Sequence, residues 1–338
     1  MKHLRKKRVS FSIVLVSVGV ILFFILLPYY RFATNVLKVS PLKSLFGYGD
    51  LKMINSRVNI LVLGIPGGNH DGPTLSDSIT VMNYDTKTNI VRSVGVPRDV
   101  WSGTLQDKIN SAYAYGEAKK DGGGLILSKA EIGSIIGEPV QYAVVINFHE
   151  FIDLIDLLGG VDVQVERSFV DKEFPIEGKE NDECGGDPDY KCRYKTVSFT
   201  KGLTHMSGET ALTFVRSRNA DGDEGSDFSR NKRQQLAMGA IKERVAGIIL
   251  TFNLNKMESL YKSVDSLIKR DISNQQLTYL MRNIVLKRNF KQSTTALPQE
   301  LFTVPSYEDY EGRYVLIPED ASFSAIHSYV KQYLEYQR

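Results

Sequence analysis

Val58-Asn-Ile-Leu-Val-Leu-Gly64 is the stretch of this 338-residue chain that decides its predicted fold. It is a compact apolar run that ends in glycine, as a buried strand does. Residues 66–73, one position further on, contain three Gly and two Pro, so the strand should lead into a loop. The chain is therefore expected to build a sheet around this segment.

Strand and helix patterns alternate on the carboxyl side of this run. Further strands are predicted at 79–85, 89–96, 141–147, 161–165 and 314–317. Helices are predicted at 108–119, 125–136, 150–158, 207–215, 227–250, 256–269, 274–286 and 321–336. Residues 168–198 form a long polar stretch between them. This alternation predicts an α/β protein with helices covering a sheet of at least five strands.

The amino-terminal segment has the pattern of a membrane anchor. Residues 9–27 read VSFSIVLVSVGVILFFILL, without charge or proline. As a helix they would be about 28 Å long, close to the hydrocarbon thickness of a bilayer. A cleaved signal peptide is the alternative, but residues 28–33 contain only a poor cleavage site.

Five basic residues in positions 1–8 place that end in the cytoplasm by the positive-inside bias. The predicted organisation is a basic cytoplasmic head at 1–8, a single-pass transmembrane anchor at 9–28 and a juxtamembrane spacer at 29–56. The remaining residues, 57–338, would form one catalytic domain outside the cytoplasmic membrane.

The charge of the remaining chain argues against a nucleic-acid partner. The formal net charge is +3, from 42 basic and 39 acidic residues. Without the five amino-terminal basic residues, 37 basic residues face 39 acidic ones, a net charge of about −2. A general polyanion binder should instead carry a strong positive excess over its domain.

The two cysteines, Cys184 and Cys192, lie within nine positions of each other. Outside the cytoplasm such a pair can oxidise, so we expect a disulfide. The alternative is two free thiols in a surface loop. A zinc site is not expected, because the spacing is wrong and no histidine lies nearby.

Four short motifs supply the groups that a pyrophosphate site needs, namely carboxylates for a divalent metal and guanidinium forks for phosphate oxygens. They are Leu75-Ser-Asp77-Ser-Ile, Val96-Pro-Arg98-Asp99, Lys108-Ile-Asn110 and the segment from Val215 to Gln235. Beside a membrane anchor, such a site suggests a lipid-linked phosphate substrate.

These motifs, in this order, resemble the LytR-CpsA-Psr family of membrane-anchored bacterial proteins. Further matches are Asn59-Ile-Leu-Val-Leu-Gly64, Gly159-Gly160-Val161-Asp162-Val163 and the segment 208–212. The similarity covers roughly residues 57–250 and the anchor. It implies a mixed central sheet flanked by helices, an α-β-α sandwich.

The resemblance implies that Asp77 is a ligand of Mg²⁺, which prefers oxygen ligands. Two positions depart from the family. Pro66 stands where a second Asp is usual, and Asp71 in the following loop is the candidate replacement. Leu75 stands where an Arg usually precedes the Ser-Asp pair, which removes one expected phosphate contact.

The cationic motifs are the candidates for catalysis and substrate binding. Arg98 should project from a strand end, and Asp99 would either hold it in place or act as general base on an acceptor hydroxyl. Arg216 and Arg218 can share a site only if their helix ends there. The predicted catalytic residues are Arg98, Asp99, Arg216 and Arg218. The predicted pyrophosphate contacts are Arg98, Lys108, Arg216, Arg218, Arg230, Arg233 and Gln234.

By resemblance, the chain would be a phosphotransferase that passes a glycopolymer from a polyisoprenyl pyrophosphate carrier to a hydroxyl of peptidoglycan, with Mg²⁺ as cofactor. Its partners would be the lipid-linked glycopolymer, peptidoglycan and the membrane. One alternative is a polyprenyl pyrophosphate hydrolase that uses the same residues. A second is a non-catalytic protein that binds polyisoprenyl phosphates.

Overall fold

The computed structural model describes residues 2–46, 50–68, 72–179, 181–251, 253–286 and 291–335. The helices are α1 Lys2–Arg31, α2 Pro41–Phe46, α3 Ala112–Lys119, α4 Gly123–Ile136, α5 Phe148–Leu157, α6 Gly208–Arg216, α7 Asp227–Leu250, α8 Leu254–Leu267, α9 Asn274–Leu286 and α10 Ser324–Glu335. The strands are β1 Arg57–Ile65, β2 Ser78–Asp85, β3 Ile90–Gly95, β4 Trp101–Ser102, β5 Asp107–Lys108, β6 Tyr142–Asn147, β7 Val161–Val165, β8 Phe169–Pro175, β9 Tyr194–Phe199, β10 Gly202–Met206, β11 Lys269–Arg270, β12 Lys291–Ala296, β13 Phe302–Thr303 and β14 Ile317–Pro318.

The central sheet has six strands in the order β11-β6-β1-β2-β3-β12. β1 is parallel to β6 and antiparallel to β2, and β3 is antiparallel to β2 and parallel to β12. The predicted central strand, at 58–64, is therefore the third strand of the sheet, with paired neighbours on both sides. The prediction of a mixed central sheet is confirmed.

Helices cover both faces of this sheet, because successive side chains of a strand point to opposite faces. On the first face, Leu61 and Leu63 of β1 pack with α4 and α10 around Ile132 and Ile326, in the largest buried cluster. On the second face, Val58 at the amino end of β1 packs with α9. The result is the expected α-β-α arrangement.

A second apolar core lies beside the sheet, where β7 pairs with β10 and β8 with β9. Its centre is formed by Phe169, Phe199 and Phe214, whose ring centroids are 5.1 to 6.1 Å apart. Most of this region, residues 168–198, is a polar stretch without a predicted strand or helix. Instead, β8 and β9 form a hairpin, and a disulfide joins Cys184 to Cys192 near its tip.

The amino-terminal helix is long and apolar enough to span a membrane over Ile13–Val36. Its continuation meets the rest of the protein at α9, where the Asn274 side chain donates a hydrogen bond to the Leu37 carbonyl at 3.0 Å. Because α9 packs on Val58, the anchor joins at the amino end of β1.

Candidate functional site

The predicted site residues meet at the opposite end of the sheet. β1 and β6 are parallel and in register from Ile60 and Tyr142 to Ile65 and Asn147, so their carboxyl ends lie side by side. The amino end of β2 and the carboxyl end of β3 reach the same edge. In open α/β sheets, ligands bind outside the carboxyl ends of the strands, at points where the chain diverges to either side.

Asp77 and Arg98 form the first contact of the site. The Asp77 amide donates a hydrogen bond to the Gly64 carbonyl at 2.8 Å, which places its side chain just beyond the end of β1. The Arg98 guanidinium donates to Asp77 Oδ1 from the loop that follows β3. Both side chains stay about one third exposed, so their charges are accessible from solvent.

Asp99 extends this contact to Lys108. Arg98 Nε lies 3.6 Å from Asp99 Oδ2, and Lys108 Nζ donates to Asp99 Oδ1 at 2.8 Å. The sequence motifs therefore assemble into one row of alternating charge: Asp77, Arg98, Asp99, Lys108. The two carboxylates hold the two cations apart in a defined geometry, as an anion site with two contact points requires.

Lys108 does not start a helix, in contrast to the prediction for 108–119. It belongs to β5, which pairs with β4 so that Lys108 lies opposite Trp101. The helix begins later, at Ala112, after a short 3-10 turn at Ile109–Ser111. Asn110 then connects two motifs, because its carbonyl accepts from the Ser76 amide at 2.9 Å and its amide donates to the Arg98 carbonyl at 3.2 Å.

Asp107, the residue before Lys108, is held in place by two other side chains. Its carboxylate accepts from the Tyr115 hydroxyl at 2.5 Å, and Arg313 Nη1 donates to it at 2.7 Å. Partial burial raises the pKa of Asp107, but hydrogen bonds from Tyr115 and the Lys108 amide and the charge of Arg313 outweigh it, so that the pKa is lowered overall. Arg313 comes from the carboxyl-terminal part of the chain, which no motif marked as functional.

Arg216 lies at the same end of the sheet, where its guanidinium packs on two aromatic rings. Its guanidinium carbon lies 4.2 Å from the ring centroid of Phe148 and 5.6 Å from that of Phe174. Phe148 is the first residue of α5, and its amide faces the Pro66 carbonyl at 3.3 Å, beyond the end of β1. A capping box at Asn147 starts this helix directly after β6 and so fixes the position of Phe148.

Arg218 projects from a turn that the buried carboxylate of Asp171 organises. Helix α6 ends at Arg216, as the pairing of Arg216 and Arg218 required. Asp171 is 0% exposed, and its Oδ2 accepts from Ser217 Oγ at 2.6 Å, the Arg218 amide at 3.1 Å and the Asn219 amide at 3.2 Å. The Asp171 carboxylate thus fixes the backbone of residues 217–219, while the Arg218 side chain stays exposed.

Arg233 is placed differently from the prediction. Its side chain is 3% exposed, and it donates to Glu224 Oε2 at 3.0 Å and to the Ser217 carbonyl at 2.6 Å. Burial lowers the pKa of Arg233. This guanidinium is committed to internal acceptors and supports the turn before Arg218, whereas the prediction had it facing phosphate. Arg230 and Gln234 lie half-buried on α7.

Three contributors were not found by sequence reasoning: Asp171, Phe148 and Arg313. Asp171 and Arg313 were missed because their partners are 46 and 206 residues away in the chain. For Phe148 there was a signal, since Asn147-Phe148-His149-Glu150 has the spacing of a capping box at the end of a predicted strand.

Asp77 provides one carboxylate oxygen that could coordinate a magnesium ion. Within the described residues, the Asp77 carboxylate receives a contact on Oδ1 alone, from Arg98. Oδ2 is therefore available, and Mg²⁺ commonly combines one or two carboxylate oxygens with substrate phosphates. Asp71, the predicted second ligand, lies outside the described residues. Pro66 is buried and Leu75 packs against Gly72, so neither replaces the family's charged residue.

Comparison with known proteins assigns the fold and the family. Residues 40–332 match the model of the LytR_cpsA_psr family. "Polyisoprenyl-teichoic acid--peptidoglycan teichoic acid transferase TagU" of Bacillus anthracis is 30% identical over 231 residues, 67% of this chain and 64% of the relative. TagU of Bacillus subtilis is 26% identical over 220 residues, 64% of this chain and 60% of the relative. The match thus spans less than two thirds of the length of these relatives.

Solved structures share the fold. The crystal structure of Bacillus subtilis TagV superimposes with a TM-score of 0.56 at 22% identity, covering 85% of this chain and all of that one. TagT bound to LI-WTA gives a TM-score of 0.55 at 22% identity, covering 85% of this chain and 96% of that one. With the family model matching most of its length and its motifs meeting at one end of the sheet, this chain belongs to the LytR_cpsA_psr family.

Proposed function

We propose that this protein is a membrane-anchored phosphotransferase that moves a glycopolymer from a polyisoprenyl pyrophosphate carrier to a hydroxyl of peptidoglycan. The observation that carries the proposal is the row Asp77, Arg98, Asp99, Lys108 at the strand ends, with Arg216 at the same edge. The names of the TagU relatives support the same donor and acceptor classes.

The reaction would form one bond and break one. The acceptor hydroxyl oxygen attacks the phosphorus that carries the sugar, and the bond from that phosphorus to the bridging oxygen breaks, so that polyprenyl phosphate leaves. The hydroxyl proton passes from the attacking oxygen to solvent, and the leaving oxygen departs as the phosphate monoester anion. Such transfers depend mainly on positioning and on stabilisation of charge on the phosphate oxygens.

The protein's cations would supply that stabilisation. Arg98 and Lys108, spaced by Asp99, face one group of phosphate oxygens, and Arg216 and Arg218 face another from the α6 side. Because both oxygens of Asp99 face a cation, its main role here is to position Arg98 and Lys108. Asp77 would hold Mg²⁺ through its free oxygen, and the ion would neutralise negative charge on the pyrophosphate.

The lipid chain of the donor would lie against the second face of the sheet. Toward the site, its side chains are only half-buried, among them Val62 of β1 and Ile146 of β6. Helix α8, which contacts α5, has no fully buried residue, which favours this side for the apolar chain. The segment 125–136 is less suitable, because Leu125, Ile132, Ile135 and Ile136 are buried in the core on the first face.

The proposed topology places the basic amino terminus in the cytoplasm and the catalytic domain outside it. The apolar helix over Ile13–Val36 supports a single span. The disulfide between Cys184 and Cys192 supports an oxidising compartment for the domain, because disulfides are rare in the cytosol.

The test is transfer by the full-length chain in lipid nanodiscs with Mg²⁺, measured for Arg98→Ala and Arg98→Lys. We expect kcat/KM to fall by about 10²–10³ for the alanine variant, as when one charge-stabilising donor is removed. Lysine should restore little, since it lacks the fork that binds two oxygens.

Arg57→Ala is the matched control, since Arg57 pairs with Asp85 at the other end of β1 and should leave transfer unchanged. Full transfer by Arg98→Ala would overturn the assignment of the site. Release of free glycopolymer phosphate in the presence of acceptor would instead indicate hydrolysis.

A further inference from the structure

A group of aromatic side chains lies beside the Lys108 end of the charged row, where Trp101 is opposite Lys108. Tyr307, Tyr314 and Tyr115 are 53%, 42% and 42% exposed. Trp101 and Tyr310 are half-buried, and Tyr307 and Tyr310 begin and end one 3-10 turn. These five residues, called the aromatic surface below, come from three distant parts of the chain.

Three rings of the aromatic surface, those of Trp101, Tyr310 and Tyr115, are held in a defined geometry. The rings of Trp101 and Tyr310 pack edge to face, with centroids 4.8 Å apart. The Arg313 guanidinium lies 5.3 Å from the Trp101 ring centroid while it donates to Asp107. Tyr115 donates its hydroxyl to the same carboxylate. Rings fixed in this way lose little conformational freedom when a ligand binds.

Backbone hydrogen bonds join this surface to the charged row. The Leu316 amide donates to the Asp99 carbonyl at 2.9 Å, and the Trp101 amide donates to the Leu316 carbonyl at 2.8 Å. Trp101 also lies opposite Lys108 in the β4–β5 pair. A molecule seated on the aromatic surface is therefore next to the groups that would hold the donor's phosphates.

The chemistry of the surface fits a saccharide. A pyranose ring has an apolar face of C–H groups that stacks on an aromatic ring, and a rim of hydroxyls that needs hydrogen-bond partners. Tyr and Trp offer an apolar body with a polar end. Exposed carboxylates at Glu308, Asp309 and Glu311 add acceptors around the rings.

The position of the surface argues for a glycan and against a lipid. The membrane anchor joins the protein at the amino end of β1, whereas the aromatic surface lies with the phosphate site at the carboxyl end. The carboxylates beside the rings would also repel anionic lipid headgroups.

We propose that the aromatic surface binds the sugar rings of the acceptor glycan and so brings its hydroxyl to the phosphate site. This assignment rests on the proposed function for the identity of the acceptor. The donor's phosphates would be held from the Arg216 side and along the row, which leaves the side beyond Lys108, where Trp101 lies, for the incoming hydroxyl.

The test uses Trp101, the only tryptophan of the chain, as a built-in probe. The full-length protein in nanodiscs is titrated with a β-1,4-linked N-acetylglucosamine tetrasaccharide, and tryptophan emission is recorded. We expect a saturable change in the wild type and a Kd raised about tenfold or more in Tyr307→Ala and Tyr314→Ala, as for truncated interface aromatics. Tyr194→Ala, 38% exposed on the β8–β9 hairpin, is the control and should bind as the wild type does.

Transfer kinetics separate this inference from the proposed function. Tyr307→Ala should raise KM for the acceptor and leave kcat and the donor KM unchanged. A raised donor KM, or no saturable emission change in the wild type, would overturn the inference while transfer activity stands. Saturable binding without any transfer would support the surface as a saccharide site and refute the proposed function instead.

Discussion

Replacement of Asp171 by alanine should destabilise the protein and disorder the turn that presents Arg218. The carboxylate is fully buried and accepts four hydrogen bonds. Three of them hold consecutive residues, Ser217, Arg218 and Asn219, and the fourth comes from the Glu173 amide at 3.0 Å.

The magnitude follows from these bonds. A hydrogen bond to a charged group contributes about 1.5–3 kcal/mol, and an orphaned buried donor costs about 1–3 kcal/mol. The Ser217 hydroxyl is on a residue that is 0% exposed and would lose its acceptor outright. Arg218 and Asn219 are exposed residues, so water can reach their backbone amides. Since such terms do not add fully, we expect Asp171→Ala to lower the free energy of unfolding by about 3–5 kcal/mol. Asp171→Asn keeps one acceptor oxygen and should cost about 1–2 kcal/mol.

The assay is urea unfolding followed by circular dichroism, with Asp162→Ala as the matched control. Asp162 lies in the same part of the fold but pairs with His205 on the surface, where both side chains are more than half exposed. Such a pair contributes about 0–1 kcal/mol, so the control should unfold like the wild type. If the free energy of unfolding of Asp171→Ala lies within about 1 kcal/mol of that of Asp162→Ala, the carboxylate does not hold the turn and the prediction is refuted.

Three further predictions concern the site and its supports. Arg218→Ala should reduce transfer without changing the melting temperature, whereas Arg233→Ala should cost about 3–5 kcal/mol of stability because it leaves buried acceptors unpaired; equal melting temperatures would contradict this division. The lowered pKa of Asp107 means that its contribution to stability is present above its ordinary value of 3.8 and is lost as pH falls through the folded-state value. The melting temperatures of wild type and Asp107→Asn should therefore converge in acid, and a difference that persists there would argue otherwise. Reduction of the Cys184–Cys192 disulfide should cost about 2–3 kcal/mol in the chain-entropy model, to be measured by urea unfolding with and without reductant; an unchanged midpoint would show that the bond is dispensable.

The sequence predicted the sheet and most helices well where one apolar pattern dominated. The strand at 161–165 and the helices at 227–250 and 274–286 have the predicted bounds. The hairpin of β8 and β9 was missed because its strands carry many charged and polar residues, and only pairing across the disulfide-closed tip reveals them. Strand β12 was missed for the same reason, since Lys291–Ala296 is polar and becomes a strand by pairing with β3.

For the candidate site, local motifs identified the charged residues but not their arrangement. Asp77, Arg98, Asp99 and Lys108 were selected by residue type and order, and the structure joins them in one row. Arg233 was selected on the same grounds and is buried instead, because helix spacing alone does not say which face turns inward.

The sequence by itself determined the apolar strands and most of the helices, the family to which the chain belongs and the residue types available for a phosphate site. These properties depend on apolar periodicity, turn residues and short motifs, all of which are local in the chain. Only the tertiary structure decided that Asp171 and Arg313 support the site and that Trp101, Tyr115 and the tyrosines of residues 307–314 share one surface. The physical reason is that hydrogen bonds and ring contacts between residues far apart in sequence exist only after the sheet has brought its strand ends together.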